Sequence, residues 1–244
     1  MAVLSEYFSA ITKVLNLIEK QERQNIDKAA NVLTDVVESG NIIHVFGCGH
    51  SHMMAEEMFY RAGGIAAVRP IFVEELMLHQ GGSKASEYER MNGYATTFMD
   101  QQDIRSGDVV IVVSNSGRNP VPVDVARISA QQGAFVIAMT SLAASEQEPS
   151  RHNEGLYLKD VADLILDNHI EHGDSAFSIE NSFSYGPLSS VVGMALLDGI
   201  VAKVIDQLIR RGVEPPVFQS GNIDGTDLHN KKLIDTYKQR IPML

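Results

Sequence analysis

The chain alternates stretches of helical periodicity with short runs that are almost wholly apolar. Residues 3–38 carry apolar side chains at the three- and four-residue spacing of amphipathic helices, with a break near residues 21–25. The later apolar runs are too short for buried helices and end in turn-forming residues, as strands do. The pattern predicts two N-terminal helices, or one bent helix, followed by five strands at residues 42–46, 65–72, 109–113, 134–140 and 162–166.

These strands lack the alternation of a half-exposed strand, which indicates a parallel sheet with helices on both faces. Further helices are predicted at residues 51–62, 121–132 and 185–211, and a short one near the end of the chain. Pro70 suits only an edge strand or the end of a strand. Residues 73–105 show no regular pattern, and we expect a partly mobile segment there.

The sequence predicts a single α/β domain over residues 1–244. Its parts are the N-terminal helices at 1–40, the core at 41–212 and a C-terminal tail at 213–244. With 44% hydrophobic residues, a chain of this length can bury a full core.

Charge and cysteine content narrow the classes of function. The net charge of −11 leaves no basic stripe for a nucleic-acid backbone. No apolar run reaches the roughly 18 residues that a membrane span needs, and the N-terminus lacks the pattern of a signal peptide. The single cysteine, Cys48, fits a reducing compartment. We expect a cytoplasmic protein with no nucleic-acid or membrane partner.

Two strand ends carry the candidate chemistry. The first strand runs into Gly47-Cys48-Gly49-His50-Ser51, and the third runs into Ser114-Asn115-Ser116-Gly117. A glycine-rich turn between a strand and a helix lets backbone amides converge at the helix N-terminus, where the helix dipole favours an anion. The serine hydroxyls add further donors. The two loops therefore predict a phosphate site.

In this α/β pattern the two loops resemble those of the sugar isomerase (SIS) domain family of phosphosugar-binding proteins. The resemblance extends to about residue 212. It implies a three-layer αβα sandwich with a five-stranded parallel sheet, a homodimer or homotetramer, and a phosphosugar at the C-terminal ends of the strands. Asn119 stands where the family often has threonine or serine, and its amide can still donate. The residues implied for phosphate binding are Gly49, Ser51, Ser114, Asn115, Ser116, Gly117 and Asn119.

A nicotinamide cofactor is the alternative ligand for a glycine-rich loop after a strand. It needs a third glycine, and an acidic residue about twenty positions further on. Met53 and Met54 occupy the region of that third glycine, and no acidic residue is clearly placed. We therefore predict no cofactor.

Several residues are candidates for a catalytic base. Aldose–ketose isomerisation needs a general base about 3 Å from the proton that moves. Phosphoheptose isomerases resemble the chain around the first loop, but the position of their catalytic glutamate falls on Arg61, and helix 185–211 lacks their histidine. Arginine cannot act as a base at neutral pH. Glu57 is a candidate base, or else it forms a salt bridge with Arg61.

Residues 81–89 resemble a second branch of the family, the N-acetylmuramic acid phosphate etherases. In these proteins one glutamate on the first-loop helix and another beyond a Gly-Gly stretch carry the lyase chemistry. Glu57 and Glu89 lie in loosely similar places. Elimination and isomerisation both begin with removal of a proton next to a carbonyl, so one base would serve either reaction.

Three histidines are further candidates for metal binding, catalysis or substrate contact. His169 and His172 follow the fifth strand at a spacing that could place two metal ligands on one helical face, but no further ligand is fixed, and we predict no metal. His172 is a candidate for catalysis or substrate contact. In related SIS proteins a C-terminal element of the neighbouring subunit can complete the site, and His229 in the tail is the candidate for that role.

Three functions stay open at this point. The first is an aldose–ketose sugar-phosphate isomerase that uses a glutamate or histidine base. The second is an etherase or lyase acting on a sugar of the N-acetylmuramic acid phosphate type, and the third is a phosphosugar sensor without catalysis. The catalytic candidates are Glu57, Glu89, His172 and His229.

Overall fold

Five parallel strands form the centre of the protein in the computed structural model, which describes residues 2–180 and 182–244. They are β1 (Ile43–Gly47), β2 (Val68–Pro70), β3 (Val109–Val113), β4 (Phe135–Thr140) and β5 (Leu164–Asp167). Their order across the sheet is β2-β1-β3-β4-β5, and each is parallel to its neighbours. The predicted α/β fold is confirmed, and Pro70 ends an edge strand as expected.

Helices cover both faces of this sheet. They are α1 (Ala2–Gln21), α2 (Arg23–Glu38), α3 (Met53–Met58), α4 (Gly82–Glu89), α5 (Thr96–Met99), α6 (Pro120–Gln131), α7 (Leu142–Gln147), α8 (Leu158–Val161), α9 (Ser189–Arg210) and α10 (Asp227–Tyr237). Helices α1, α2, α3 and α9 pack on one face, and α4, α5, α6 and α8 pack on the other. Along β3, the side chains of Val109 and Ile111 belong to the hydrophobic core on the α9 side of the sheet, whereas those of Val110 and Val112 belong to the core on the α6 side. Burial on both faces explains why the strands are uniformly apolar.

The two N-terminal helices are separate. Helix α1 ends at Gln21 and α2 begins at Arg23, at the position where the periodicity predicts a break. Gly40 follows α2 with φ of 73°, a left-handed conformation that ends helices and that glycine adopts readily. Within the two described ranges, no helix combines the length and apolar content that a membrane span requires.

The helix predicted at residues 51–62 is shorter than expected. The first loop closes in a 3-10 turn at Gly49–His52, and α3 ends at Met58. Phe59 is extended and Tyr60 has φ of 46°, so the helix cannot continue. Apolar periodicity does not register such a change of backbone conformation.

Two other segments also differ from the prediction. Residues 73–105, predicted to be irregular, contain α4 and α5. The last core helix, predicted to begin at residue 185, begins at Ser189. It follows an antiparallel hairpin of β6 (Phe177–Ser178) and β7 (Ser184–Tyr185). Helices α4 and α5 and strands β6 and β7 are too short to show a readable periodicity.

A cluster of charged and polar side chains connects the C-terminal tail to the sheet. Asp108, directly before β3, is 1% exposed. Its carboxylate accepts hydrogen bonds from the Ile42 amide at 2.9 Å and from Arg240 Nη2 at 2.7 Å, and His44 Nε2 lies 3.3 Å away. Burial opposes ionisation of Asp108, but these bonds hold its pKa well below the usual range. The cluster lies at the N-terminal ends of β1 and β3, so it fixes the end of the sheet opposite the two loops.

Removing the charge of Asp108 should destabilise the protein. Asp108→Asn leaves Arg240 without its main anion, and we expect the free energy of unfolding at pH 7 to fall by about 3 kcal/mol. Because folding lowers the pKa of Asp108, its contribution is complete above the unfolded pKa of about 3.9 and is lost as pH falls through the folded value. Urea denaturation at several pH values measures both effects.

Asp35→Asn is a matched control, because Asp35 pairs with Arg211 on the surface, where ion pairs contribute little. A loss of stability in Asp108→Asn as small as that in the control would contradict a structural role for the cluster.

Candidate functional site

A cavity of about 430 Å³ lies at the C-terminal ends of β1 and β3. The chain leaves β1 toward α3 on one face of the sheet and leaves β3 toward α6 on the other. The two loops therefore diverge, which is how open α/β sheets form a ligand crevice. The wall of the cavity includes Ser51, Glu89, Ser116, Arg118, Arg151 and His172.

The β3–α6 loop, residues 114–119, exposes backbone donors because its carbonyl groups are already paired. Three of its carbonyl oxygens accept hydrogen bonds from the residue that follows β4 and from helices α7 and α8: Asn115 O from Ser141 N at 2.9 Å, Ser116 O from Ser145 Oγ at 2.9 Å and Gly117 O from Leu158 N at 2.8 Å. Within residues 2–180 and 182–244, the amides of Asn115, Ser116, Arg118 and Asn119 have no protein acceptor. A run of unpaired amides before a helix N-terminus is an anion-binding arrangement.

Gly117 allows the loop to take this shape. Its φ is 59°, and a Cβ atom at this position would lie 2.8 Å from Thr140 Oγ1. Its amide donates to Ser114 Oγ at 3.3 Å, so the buried Ser114 hydroxyl supports the turn from within. A larger residue at 117 would be both strained and too close to its neighbours.

The loop after β1 is closed just as tightly. A Cβ atom on Gly47 would lie 2.5 Å from the backbone of Ser51, and the Ser51 amide donates to Cys48 O at 2.9 Å. This turn places Gly49 and Ser51 in the cavity wall beside the β3–α6 loop. Burial raises the pKa of the Cys48 thiol well above its ordinary value, and Glu89 adds to the effect. Cys48 therefore serves as a small neutral residue in a tight turn.

Glu89, the last residue of α4, lies in the cavity and is held by Asn119, which Arg151 supports in turn. Asn119 Nδ2 donates to Glu89 Oε1 at 2.8 Å, and Arg151 Nη1 donates to Asn119 Oδ1 at 3.0 Å. Burial raises the pKa of Glu89, whereas the Asn119 bond and the charges of Arg90 and Arg151 oppose the rise. The cavity thus contains a carboxyl group whose proton affinity is increased.

The other catalytic candidates are placed differently. His172 is exposed in the cavity wall, 3.9 Å from Glu148 Oε1. Glu57 is outside the cavity and pairs with Arg61, in the salt bridge that is the alternative to a catalytic role. His229 contacts Val217 O at 2.8 Å in the tail, also away from the cavity of its own chain. One chain therefore brings Glu89 and His172 together but not Glu57 or His229.

The side-chain roles of several cavity residues were not identified from the sequence. Arg118 lies within the β3–α6 loop, and its Nε donates to Pro149 O at 3.0 Å. Asp174 accepts hydrogen bonds from the amides of Leu188 and Ser189 at 3.0 and 2.8 Å, which fixes the start of α9 beside the cavity. The position of Arg118 within the loop was a usable signal. Arg151 and Asp174 belong to connections that carry no pattern.

His169 belongs to a separate cluster that could hold a metal ion. Its Nε2 lies 3.3 Å from Glu22 Oε1, and its Nδ1 lies 3.4 Å from Asp167 Oδ2. The three residues place ligand atoms within 4.8 Å of one another. A histidine that bonds to two carboxylates also explains this cluster without a metal. His169 then connects Glu22, at the break between α1 and α2, to Asp167 at the end of β5. His169 and His172 do not converge on one site.

Both the sequence and the fold are similar to those of known proteins. Residues 6–141 match the SIS domain family. A UPF0309 protein from Geobacillus thermodenitrificans is 51% identical over 243 residues, covering 99% of this chain and 98% of the relative. A UPF0309 protein from Listeria innocua is 45% identical over 243 residues, covering 99% and 98%.

Solved structures share the fold at low sequence identity. Phosphoheptose isomerase GmhA from Neisseria gonorrhoeae has a TM-score of 0.56 and 16% identity, covering 84% of this chain and 98% of that one. The Vibrio vulnificus NanR protein has a TM-score of 0.52 and 13% identity, covering 99% and 70%. The match of residues 6–141 and the identity to the UPF0309 relatives show that the chain belongs to the SIS domain family and, within it, to the UPF0309 proteins.

Proposed function

We propose that this protein binds a phosphorylated sugar in the cavity between β1 and β3, and that it isomerises the sugar with Glu89 as the base. The observation that carries the proposal is the set of four unpaired amides in the β3–α6 loop. Asn119 is buried and the other three residues are partly buried, and a phosphate supplies acceptors for several of their amides at once. The hydroxyls of Ser51 and Ser116 add donors in the same wall.

The shape and charge of the cavity support a small, polar ligand. Its volume of about 430 Å³ is within the usual range of small-molecule pockets. With a net charge of −11, the chain offers little long-range attraction to an anion, so binding rests on these local donors. The NanR protein, which shares the fold, is described in complex with ManNAc-6P. That ligand is a precedent for the class proposed here.

Glu89 is the carboxylate best suited to move a proton. It lies in the same cavity as the loop, and burial raises its pKa toward the range in which a base works well near neutral pH. Its Oε1 is held by Asn119, and within the described chain no protein donor bonds to Oε2. The exposed imidazole of His172, in the same wall, is proposed to assist ring opening.

The lyase alternative uses the same first step, so Glu89 would serve it equally. A mechanism that needs two glutamates in one site is less supported, because Glu57 is engaged by Arg61 outside the cavity. A sensor that only binds the sugar would need the phosphate-binding loop but no catalytic base. The products formed from a bound sugar therefore separate the three functions.

The phosphate site is tested by removing two hydroxyls. Ser114→Ala combined with Ser116→Ala should abolish the thermal stabilisation that sugar phosphates give the parent protein. A ligand at 100 times its Kd stabilises the folded state by about 2.7 kcal/mol, which is easily seen as a shift in Tm. Ser83→Ala, on the exposed start of α4, is the matched control and should respond like the parent. An undiminished shift in the double variant would show that the phosphate binds elsewhere.

The proton transfer is tested in deuterated water with hexose, amino-sugar and muramic phosphates. We expect solvent deuterium at C1 or C2 of recovered sugar, with a rate at least 100-fold lower in Glu89→Gln. Glu57→Gln is the control and should exchange like the parent. If the parent protein binds a sugar but neither exchanges nor converts it, the isomerase proposal is wrong and a sensor is favoured. An eliminated product would favour the lyase.

We also propose a homodimer or homotetramer formed in part through α1. Its exposed side chains Val3, Leu4 and Phe8 give this helix an apolar surface that suits a second copy of the chain. Leu4→Glu with Phe8→Glu should then lower the mass measured by light scattering. Lys20→Glu, at an exposed position of α1 about three turns beyond Phe8 and on another face of the helix, is the control and should leave the mass unchanged. A parent protein that is already monomeric would contradict the proposal.

A further inference from the structure

The side chain of Asn119 is used in an unexpected way. Asparagine is a favoured N-cap residue, and Asn119 precedes α6 at that position, yet its side chain makes no capping bond. It is 8% exposed. Its Nδ2 donates to Glu89 Oε1 at 2.8 Å and its Oδ1 accepts from Arg151 Nη1 at 3.0 Å. Both polar ends are thus occupied by protein groups rather than left for a phosphate.

The chemistry of the two partners fixes the orientation of this amide. A guanidinium can only donate hydrogen bonds, and an ionised carboxylate can only accept them. A flipped amide would set NH2 against the donor Arg151 and oxygen against the acceptor Glu89. A serine or threonine hydroxyl would have to donate and accept through a single oxygen, whereas the amide offers separate donor and acceptor atoms to the two partners.

We propose that Asn119 is a positioning residue for Glu89, which it links to Arg151 so that one carboxylate oxygen is held and the other is left to accept the substrate proton. This inference rests on the function proposed above. Asn119 then positions the base instead of binding the phosphate, which is the role that the sequence predicts for it. The phosphate is then bound by the loop amides and the serine hydroxyls.

The charges around Glu89 explain why such a link matters. The groups that face it are Asn119 from α6, Arg90 at the end of α4, Arg151 from the connection after α7, and the buried thiol of Cys48. Burial favours the protonated carboxyl, while the amide bond and the two guanidinium groups favour the ionised form that acts as a base. Among the described residues, Asn119 provides the only direct hydrogen bond to Glu89, and its loss removes a bond that favours ionisation.

The first test needs no sugar. In protein with 13C-labelled glutamate side chains, the carboxyl signal of Glu89 is assigned from its absence in Glu89→Gln and titrated with pH. Asn119→Ala should raise the titration midpoint by about one unit, and Asn119→Asp should raise it because a second carboxylate would face Glu89. Asn119→Asp also keeps an acceptor for Arg151, so a folded variant is retained if the alanine variant is unstable.

Asn92→Ala is the matched control. Asn92 donates to the backbone oxygen of Arg151 at 3.3 Å and accepts from the Asn153 amide at 2.8 Å, so it supports the same connection without touching Glu89. It should leave the midpoint unchanged. A midpoint in Asn119→Ala and Asn119→Asp equal to that of the parent would overturn the proposal.

The second test uses a sugar phosphate that the parent protein binds. Asn119→Ala should lower the rate of deuterium exchange about tenfold, with little change in Kd, and should move the pH profile toward higher pH. In the Glu89→Gln background it should cause no further loss, because the two residues act as a unit. A loss of binding as large as that of the serine double variant would mean that Asn119 contacts the phosphate instead. If the parent binds no sugar phosphate, the proposed function fails, and the carboxyl titration still decides whether Asn119 controls Glu89.

Discussion

The β3–α6 loop can present its amides to a ligand because its carbonyl groups are already paired with the elements that pack against it. Asn115 O, Ser116 O and Gly117 O accept hydrogen bonds from the residue that follows β4 and from the two helices after it, α7 and α8. This pairing requires β4 beside β3, so the order of the sheet determines the loop. An amide that is buried without a partner costs about 1–3 kcal/mol. The loop is therefore stabilised by whatever acceptor, water or anion, occupies it.

The same sheet order brings Glu89, the proposed base, to the proposed anion site. Helices α4 and α6 pack on one face, which sets Glu89 at the end of α4 against Asn119 at the start of α6. An acidic protein can bind an anion here because the favourable groups are within hydrogen-bond distance, where screening by salt is weak. Glu148 and Asp174 balance much of the charge of Arg118 and Arg151 in the wall. Binding should consequently depend on geometry more than on net charge.

Much of the fold could be predicted from the sequence, because uniformly apolar strands that end in glycine-rich turns are typical of parallel α/β sheets. The strand at 109–113 has its predicted ends, and both of the glycine- and serine-rich loops proposed to bind phosphate are visible as sequence motifs. The sequence could not decide among the glutamates. Glu57 and Glu89 were equal candidates, and only the packing of α4, a short helix without readable periodicity, places Glu89 in the cavity. Arg151 was missed for a similar reason, because its place depends on a connection between α7 and α8 that has no pattern.

The central claim is that the loop binds the phosphate while Glu89 faces the reacting carbons of the same sugar. A crystal structure of the protein with a bound sugar phosphate tests it most directly. We expect the phosphate oxygens within hydrogen-bond distance of the amides of Ser116 and Arg118, and Glu89 Oε2 about 3 Å from C1 or C2 of the sugar. A phosphate bound only by the guanidinium groups of Arg118 and Arg151, with the loop amides occupied by water, would contradict the account.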